Sequence, residues 1–242
     1  MQAIILANHR LKGAVDGFDN PPVCILKVMD KTILEWQIET FRLAGIESIS
    51  VATAFGYLEI GAIKNILENN DELSDVRLVS RKSCRHKECL KVLVAAFNPM
   101  CRDNQVFIVD SNILFSHEII EKMLEPGRLN RLAYDSSKYD EQSVKVVMSN
   151  RDGVGVWGLS PNTSREYSRG VLVNIYRTSR KFRRDMISNI EYSVEKYGEN
   201  CPLHYIMTRT IRKPRALPLD VKDYDYSIIN TLDDYKKLSG NY

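Results

Sequence analysis

The sequence predicts one α/β domain built on a doubly wound, mostly parallel sheet with an antiparallel extension at one edge. Three observations support this prediction: apolar runs alternate with helical patterns in the first half of the chain, short strand-like runs open the second half, and 44% of the 242 residues are hydrophobic. A chain of this length and composition can bury one sizeable core. We therefore expect a single domain over residues 1–242, with residues 1–125 and 126–242 as its two halves.

The first half alternates strands with helices. Residues 3–7 are apolar throughout, as expected of a central parallel strand that is buried on both faces. Residues 8–23 contain glycines, prolines and polar side chains, which predicts an irregular loop. Apolar residues at helical spacing then predict a helix over 32–44. The same criteria predict, in chain order, a strand at 49–54, a helix at 58–69, a strand at 76–79, a helix at 87–97, a strand at 106–109 and a helix at 116–124.

The second half begins with short strands and ends with helices. Strands are predicted at 132–135, 144–148, 153–159 and 170–176, and helices at 179–197, 204–211 and 231–238. Residues 150–153 favour a tight hairpin turn between two of these strands. Hairpin strands of this kind extend a parallel sheet in the antiparallel sense at its edge.

Charge and cysteine content restrict the partners and the compartment. The net charge of +3 is too small to indicate a nucleic-acid partner, and the basic clusters at 77–87, 177–184 and 209–215 lack the aromatic company that such a site needs. The five cysteines form no Cys-x-x-Cys pair, which favours reduced thiols in a cytosolic protein. The first residues have no signal-peptide pattern. We expect a cytoplasmic protein with no membrane span and no nucleic acid bound.

Six segments resemble one family in the order in which that family has them. They are MQAIILA at 1–7 with the basic loop after it, CILKVMDKTILEWQI at 24–38, FGY at 55–57, VFIVDSNILF at 106–115, the hairpin segments at 134–135, 144–146 and 152–153, and INTLDD at 229–234. Together they resemble the nucleotidyltransferases (MobA-like, and the sugar-phosphate, phosphocholine or aminoethylphosphonate cytidylyltransferases). The resemblance implies a Rossmann-like, nucleotide-diphospho-sugar transferase-like fold, with residues 1–125 as the nucleotide-binding half and 126–242 as the acceptor half.

The resemblance also implies a set of nucleotide-binding positions. They are Ala7, Asn8, His9, Arg10, Lys12 and Val23. Members of the family cradle phosphates with glycine N–H groups in this loop and follow with a lysine, because only glycine lets the main chain approach a phosphate closely. Here His9 and Leu11 stand at the glycine positions and Val23 at the lysine position. We therefore expect a blocked cradle, and two alternatives stay open: anion binding by the side chains of the loop, or a solvated basic loop.

The catalytic and acceptor positions are altered as well. Asn112 and Asn230 replace the two aspartates that bind magnesium in the family, and amides add no negative charge to hold this ion. We therefore expect no metal and no cofactor, unless Asp110 serves as a divergent magnesium ligand. Lys145 is implied in catalysis, and the acceptor-binding positions are Asp135 and Asn174. A cross-strand ion pair between Asp135 and Lys145 is an equally good interpretation of those two residues.

The glycine loop, the basic position after it and both metal positions are all altered, whereas the pattern of strands and helices is kept. Together these changes suggest that catalysis has been lost while the fold has been retained. We expect a weakly active or inactive relative, a pseudoenzyme, that acts as a binding or assembly partner in surface-polysaccharide, phosphonate or lipid-headgroup biosynthesis. Its partners would be a nucleotide or phosphorylated small molecule and a pathway protein or second copy. The alternative is a divergent active nucleotidyltransferase that uses His9, Arg10, Asp110 and Lys145. A nucleic-acid binder ranks last.

Overall fold

The structure is a computed structural model that describes residues 1–15, 18–80, 90–97, 105–126, 130–148, 155–198, 201–211 and 216–240. The helices within these ranges are α1 (Ile33–Leu43), α2 (Tyr57–Glu68), α3 (Leu90–Ala96), α4 (His117–Leu124), α5 (Arg180–Tyr197), α6 (Leu203–Ile211) and α7 (Leu232–Ser239). The strands are β1 (Gln2–Leu6), β2 (Ala14–Val15), β3 (Phe18–Asp19), β4 (Lys27–Val28), β5 (Lys31–Thr32), β6 (Ser48–Thr53), β7 (Arg77–Ser80), β8 (Gln105–Asp110), β9 (Ile113–Phe115), β10 (Arg131–Asp135), β11 (Lys145–Met148), β12 (Val156–Ser160), β13 (Val171–Ser179), β14 (Leu217–Asp220) and β15 (Tyr226–Ile228).

The central sheet confirms the predicted doubly wound α/β class. Strand β1 pairs in parallel with β6 on one side and with β8 on the other, and β7 continues the parallel arrangement beyond β6. The chain therefore proceeds from β1 through β6 to β7 in one direction and then crosses back to the other side of β1. This reversal is a topological switch point, where the carboxyl ends of β1 and β8 diverge and open α/β sheets bind their ligands.

Strand β13 joins the two halves of the chain within one sheet. One edge of β13 pairs with β10 along its length. The opposite edge pairs with β11 near its start and with β8 near its end, in the antiparallel sense in both cases. The predicted antiparallel extension is thus present, but its main strand lies inside the sheet rather than at the edge. The edge itself is formed by β12, which pairs only with β11 among the described strands.

Helices cover both faces of this sheet. Side chains that alternate along β1 point to opposite faces, so that Ala3 and Ile5 join one apolar cluster and Ile4 and Leu6 join the other. Helices α1, α2 and α4 pack on the first face, and helices α3, α5 and α6 pack on the second. Within the described part of the chain, no helix is long and apolar enough to cross a membrane.

Several short elements differ from the sequence predictions. The run at 24–29 contains a 3₁₀ turn, Val23–Ile25, before the two-residue strand β4. Strands β9, β14 and β15 are additional to the predicted elements, and each has only three or four residues, too few for a clear alternation. The predicted turn at 150–153 lies outside the described residues, as does the first part of the helix predicted at 87–97.

Candidate functional site

A cavity of about 230 Å³ lies at the topological switch point, at the carboxyl ends of β1 and β8. It occupies a notch in the sheet: β13 pairs with β11 at Val171 and with β8 only from Ile175 onward, which leaves Asn174 without a strand opposite it on that edge. Four leucines and one valine form its apolar walls. Its polar lining consists of Asn8, His9, Arg10, Asp110, Asn174 and His204. Five of these six were predicted as site residues, and the fold brings those five together.

The carboxylate at the end of β8 faces the loop that follows β1. Asp110 Oδ2 lies 3.2 Å from His9 Nε2, and the Asp110 side chain is 11% exposed whereas that of His9 is 38% exposed. Because β1 and β8 are parallel neighbours with Leu6 opposite Asp110, the residues after their ends necessarily meet. The single carboxylate of the cavity is therefore engaged by an imidazole of the adjacent loop.

The guanidinium group that lines the cavity also has partners within the protein. Arg10 pairs with Glu59 of α2, donates to the carbonyl oxygen of Asn20 at 3.1 Å and lies 4.7 Å from the ring centre of Phe55. Burial raises the pKa of Glu59, but the hydrogen bond and charge of Arg10 and backbone N–H donors outweigh this effect and hold it below its ordinary value. Arg10 thus anchors the loop to α2, and its charge is already compensated.

Three N–H groups of this loop are hydrogen-bonded within the protein. The N–H of Leu11 donates to Pro21, the N–H of Gly13 donates to the side-chain oxygen of Asn20, and the carbonyl of His9 accepts from Val23. The N–H of Asn8 is directed back to Leu6. These bonds tie the loop to the segment that precedes the 3₁₀ turn. The loop therefore differs from an open cradle whose N–H groups converge on a phosphate.

Leu11 and Val23 close the same region with apolar contacts. Both are essentially fully buried and belong to a small cluster with Ile33 of α1 and with Ile229 and Tyr235 near the C-terminus. The positions at which the family has a glycine and a lysine thus form a hydrophobic core here. Of the other predicted nucleotide-binding positions, Ala7 is buried and bonded to β6, whereas Lys12 is exposed.

Asn112 and Asn230 are partners of one another. Asn112 Nδ2 donates to Asn230 Oδ1 at 2.9 Å and approaches the carbonyl oxygen of Ile229 at 3.5 Å. The antiparallel pairing of β9 with β15 brings the two segments together. Asn112 Oδ1 is buried and has no hydrogen-bond partner among the described residues. Asn112 and Asn230, the two positions that the resemblance matches to metal ligands, therefore lie side by side through the pairing of two strands that the sequence did not predict.

These donors do not fit a magnesium site. Magnesium requires near-ideal octahedral geometry and hard, anionic oxygen ligands. One of the two amide oxygens accepts a hydrogen bond from the other amide, and the nearby carboxylate of Asp110 is paired with His9. Among the described residues, no group of three or more histidine, cysteine, aspartate or glutamate side chains is placed to hold a metal ion.

Two asparagines contribute neutral amides to the lining of the cavity. Asn8 Oδ1 accepts from the backbone N–H of Ala54 at 2.9 Å, and Asn174 Oδ1 accepts from the hydroxyl of Tyr176 at 3.0 Å. These bonds fix the position of each amide group at the edge of the cavity. Asn174 also has φ of +25°, an unusual backbone conformation inside a strand that is typical of functional positions.

His204 completes the lining from the first turn of α6. Burial lowers the pKa of its imidazole, which favours the neutral form at neutral pH. A neutral imidazole offers one hydrogen-bond donor and one acceptor. The sequence prediction did not include this residue, because a lone histidine at a helix start has no local pattern that marks it as part of a site.

Lys145 and Asp135 lie apart from one another, and the ion pair considered for them is wrong. Both residues stand opposite Val171, on the two edges of β13, so a strand separates them. The ammonium of Lys145, which is 1% exposed, donates to the carbonyl oxygens of Glu141 at 2.5 Å and Pro161 at 2.6 Å. In this conformation Lys145 holds the hairpin of β11 and β12 and does not line the cavity.

Asp135 belongs to a separate polar cluster. Its carboxylate accepts hydrogen bonds from Ser137 and from the hydroxyl of Tyr226, and Lys138 Nζ lies 3.4 Å away. Burial raises the pKa of Asp135, but these bonds and the charge of Lys138 outweigh it and place the pKa below its ordinary value. Burial and the Asp135 carboxylate raise the pKa of Tyr226. Asp135 therefore connects β10 to β15 rather than lining the cavity.

Solved structures with the same overall fold include proteins described as nucleotidyltransferases. A protein described as a glucose-1-phosphate thymidylyltransferase from Bacillus anthracis, in complex with sucrose, superposes with a TM-score of 0.76 at 11% identity, over 99% of this chain and 94% of that one. The inositol-1-phosphate CTP transferase of T. maritima gives a TM-score of 0.70 at 13% identity, over 99% and 94%. HddC from Yersinia pseudotuberculosis, complexed with GMP-PN, gives 0.67 at 12% identity, over 99% and 98%.

Sequence comparison adds no closer relationship. No protein-family model matches the chain, and no curated protein matches it significantly. At 11–13% identity, the structural likeness establishes the nucleotidyltransferase fold. The activity has to be argued from the site itself, because one fold hosts many functions.

Proposed function

We propose that this protein is a catalytically silent member of the nucleotidyltransferase fold that works as a ligand-binding or assembly partner in the biosynthesis of a surface polysaccharide, a phosphonate or a lipid headgroup. The observation that carries the proposal is the hydrophobic closure of the phosphate-binding position by Leu11 and Val23. The fold has been retained, while the part of it that would approach a triphosphate has become core.

The energetics of the transfer reaction support this proposal. Nucleotidyl transfer depends on positioning a triphosphate in line with its attacker and neutralising its charge. Here Arg10 is paired with Glu59, and Lys145 is buried against two carbonyl oxygens. The loop N–H groups of Leu11 and Gly13 are also bonded within the protein. A triphosphate would have to displace these partners without the compensation that a metal ion provides.

A divergent active enzyme is the second candidate, and the pair of His9 and Asp110 at the cavity favours it. An imidazole held 3.2 Å from a carboxylate is an arrangement that can accept a proton from an attacking group. The adjacent notch would then receive the acceptor. This candidate requires a triphosphate to bind beside a cavity in which Arg10 is already paired with Glu59 and Asp110 contacts His9.

The experiment that separates the two candidates is a pyrophosphate-release assay. The full chain is incubated with Mg²⁺, each of CTP, UTP, GTP and ATP, and either phosphocholine or glucose 1-phosphate, with an active nucleotidyltransferase as the assay control. We expect no release above the buffer background and little thermal stabilisation by any nucleotide, since a ligand stabilises only a fold that binds it. Robust pyrophosphate release by the unmodified protein would establish the divergent enzyme instead.

A further inference from the structure

The charged side chains around the cavity at the switch point already have partners within the protein. The cavity contains one carboxylate and one guanidinium, and each has an opposing side chain in contact: His9 for Asp110, and Glu59 for Arg10. A phosphate group is held by cationic side chains or by free N–H groups at a helix start or loop. A ligand without formal charge needs neither of these features.

The other hydrogen-bonding side chains that line the cavity are uncharged. Asn8 and Asn174 both line the cavity, and each amide oxygen already accepts one hydrogen bond, so each side chain still has two N–H donors and one acceptor position for a ligand. The imidazole of His204 adds one donor and one acceptor. Neutral amides and a neutral imidazole are suited to hydroxyl groups, which donate and accept with no change of charge.

The size and the walls of the cavity limit the ligand further. A volume of about 230 Å³ is below the range of about 300–1,000 Å³ that is typical of sites for drug-sized molecules. Leu6, Leu90 and Leu93 contribute apolar surface to the same cavity as the polar groups. A single ring that carries both hydroxyl and C–H groups matches this mixed lining.

From these features we propose that the cavity binds an uncharged polyhydroxylated ring, either a free monosaccharide or the ribose of a nucleoside, and selects against its phosphorylated form. This inference rests on the proposed function, because it assigns the ligand class of the same site. It reverses the charge preference expected of a site that handles sugar phosphates and triphosphates. The selection arises because Arg10, the cationic side chain of the lining, is already paired with Glu59.

Calorimetric titration of the full chain in a buffer with EDTA tests the ligand class. One set of ligands consists of glucose, N-acetylglucosamine and inositol, and the other of cytidine, uridine, guanosine and adenosine. Each ligand is compared with its monophosphate. We expect a neutral ring to bind and its phosphate to bind at least about tenfold more weakly, equivalent to about 1.4 kcal/mol. Binding in the first set alone identifies a monosaccharide, and binding in the second alone identifies the ribose of a nucleoside.

Two variants test the origin of the selection. Glu59→Gln removes the charge that compensates Arg10. The ratio of the Kd of the phosphorylated ring to the Kd of the neutral ring is therefore expected to fall by about tenfold. Glu68→Gln is the matched control, since Glu68 pairs with Lys64 on the same helix and both side chains are well exposed.

Asn8→Asp keeps an acceptor for the Ala54 N–H and removes the amide donor, so the neutral ring should bind several-fold more weakly.

The proposal and the function on which it rests fail in different ways. If every phosphorylated ring binds as tightly as its neutral form, or if no neutral ring binds, the ligand class proposed here is wrong. A failure of Glu59→Gln to change the selection, with the variant folded like Glu68→Gln, also overturns it. Neither result involves metal or turnover. The proposed function is overturned separately, by release of pyrophosphate from a nucleoside triphosphate in the presence of Mg²⁺.

Discussion

Asn112 and Asn230 show how the chemistry of one side chain depends on the identity of its neighbour. As amides, they are joined by the bond from Asn112 Nδ2 to Asn230 Oδ1, while Asn112 Oδ1 is buried without a hydrogen-bond partner among the described residues. Two carboxylates at the same positions would have no proton between them and would repel. A divalent cation would relieve that repulsion, because carboxylate oxygens are the ligands it prefers. The present pair thus holds together by one amide hydrogen bond, with no negative charge for a metal ion to neutralise.

The double variant Asn112→Asp with Asn230→Asp is expected to bind Mn²⁺ or Mg²⁺. Without metal it should be less stable than the wild type by about 1–3 kcal/mol, because a buried hydrogen bond is replaced by repulsion between like charges. Adding the metal should raise its melting temperature, and thermal denaturation with and without Mn²⁺ measures the effect. Pyrophosphate release should stay at background, since Leu11 and Val23 still close the phosphate position.

The single variant Asn230→Asp is the matched control for this prediction. It keeps Asn112 Nδ2 as a donor to the new carboxylate, so it has no repulsion for a metal ion to relieve. If Mn²⁺ stabilises the single and double variants equally, or stabilises neither, the amide pair is not what prevents metal binding. The wild type provides the baseline for both.

The sequence predicts which site residues lie close together better than it predicts the ion pairs and hydrogen bonds that these residues form. Parallel strands place their carboxyl ends on one edge of the sheet, which is why His9, Asp110 and Asn112 could be grouped before the fold was known. The pairing of Arg10 with Glu59 could not be predicted, because it joins residues 49 positions apart across a loop and a helix. Likewise, no local pattern shows that Lys145 is buried.

At the scale of secondary-structure elements, α7 fixes the position of Asn230. Thr231 and Asp234 form a capping box at its start, and Asp234 Oδ2 also accepts from the backbone N–H of Asn230 at 3.1 Å. Burial raises the pKa of Asp234, but these hydrogen bonds outweigh it and lower the pKa from the ordinary value of 3.8. The capping interaction therefore stabilises the helix most when Asp234 is ionised.

Replacement of Asp234 by asparagine should lower the free energy of unfolding by about 0.5–1 kcal/mol at pH 7. Because the folded-state pKa is depressed, this contribution is present above the unfolded value of 3.8 and is lost as the pH falls through the folded value. Urea denaturation at pH 7 and near pH 3 should show the difference from the wild type shrinking toward zero. Asp233→Asn, in the same turn but exposed, is the control and should show a smaller loss at pH 7.

At the scale of the whole molecule, β13 makes the two halves of the chain depend on one another. It belongs to the second half, yet it pairs with β8 of the first half over five residues, from Val109 to Gln105. Its other edge pairs with β10, and through β10 it connects to β14. The two apolar clusters also each draw side chains from both halves. The two halves thus share one sheet and both apolar clusters.

We therefore predict one cooperative unfolding transition for the full chain. Differential scanning calorimetry should give a calorimetric enthalpy equal to the van't Hoff enthalpy, as for a single two-state domain. Two resolved transitions, or a ratio of the enthalpies well above one, would contradict a single domain over residues 1–242. The neutral ring that binds best at the cavity offers a further check, since it should shift the whole transition rather than part of it.

The notch in the sheet has a consequence for how this cavity can change during evolution. Its width is the interval of β13 between the end of β11 pairing at Val171 and the start of β8 pairing at Ile175. Insertion or deletion of residues where β8 ends or β11 begins would thus resize the cavity and would change its lining at Asp110 and Val144, while the lining from α3, α6 and the loop after β1 stays the same. Since alternate residues of a strand face opposite sides, a change of two residues preserves the inward-facing set, whereas a change of one reverses it. Cavities for larger or smaller ligands can accordingly arise in this fold when two residues at a time are inserted or deleted.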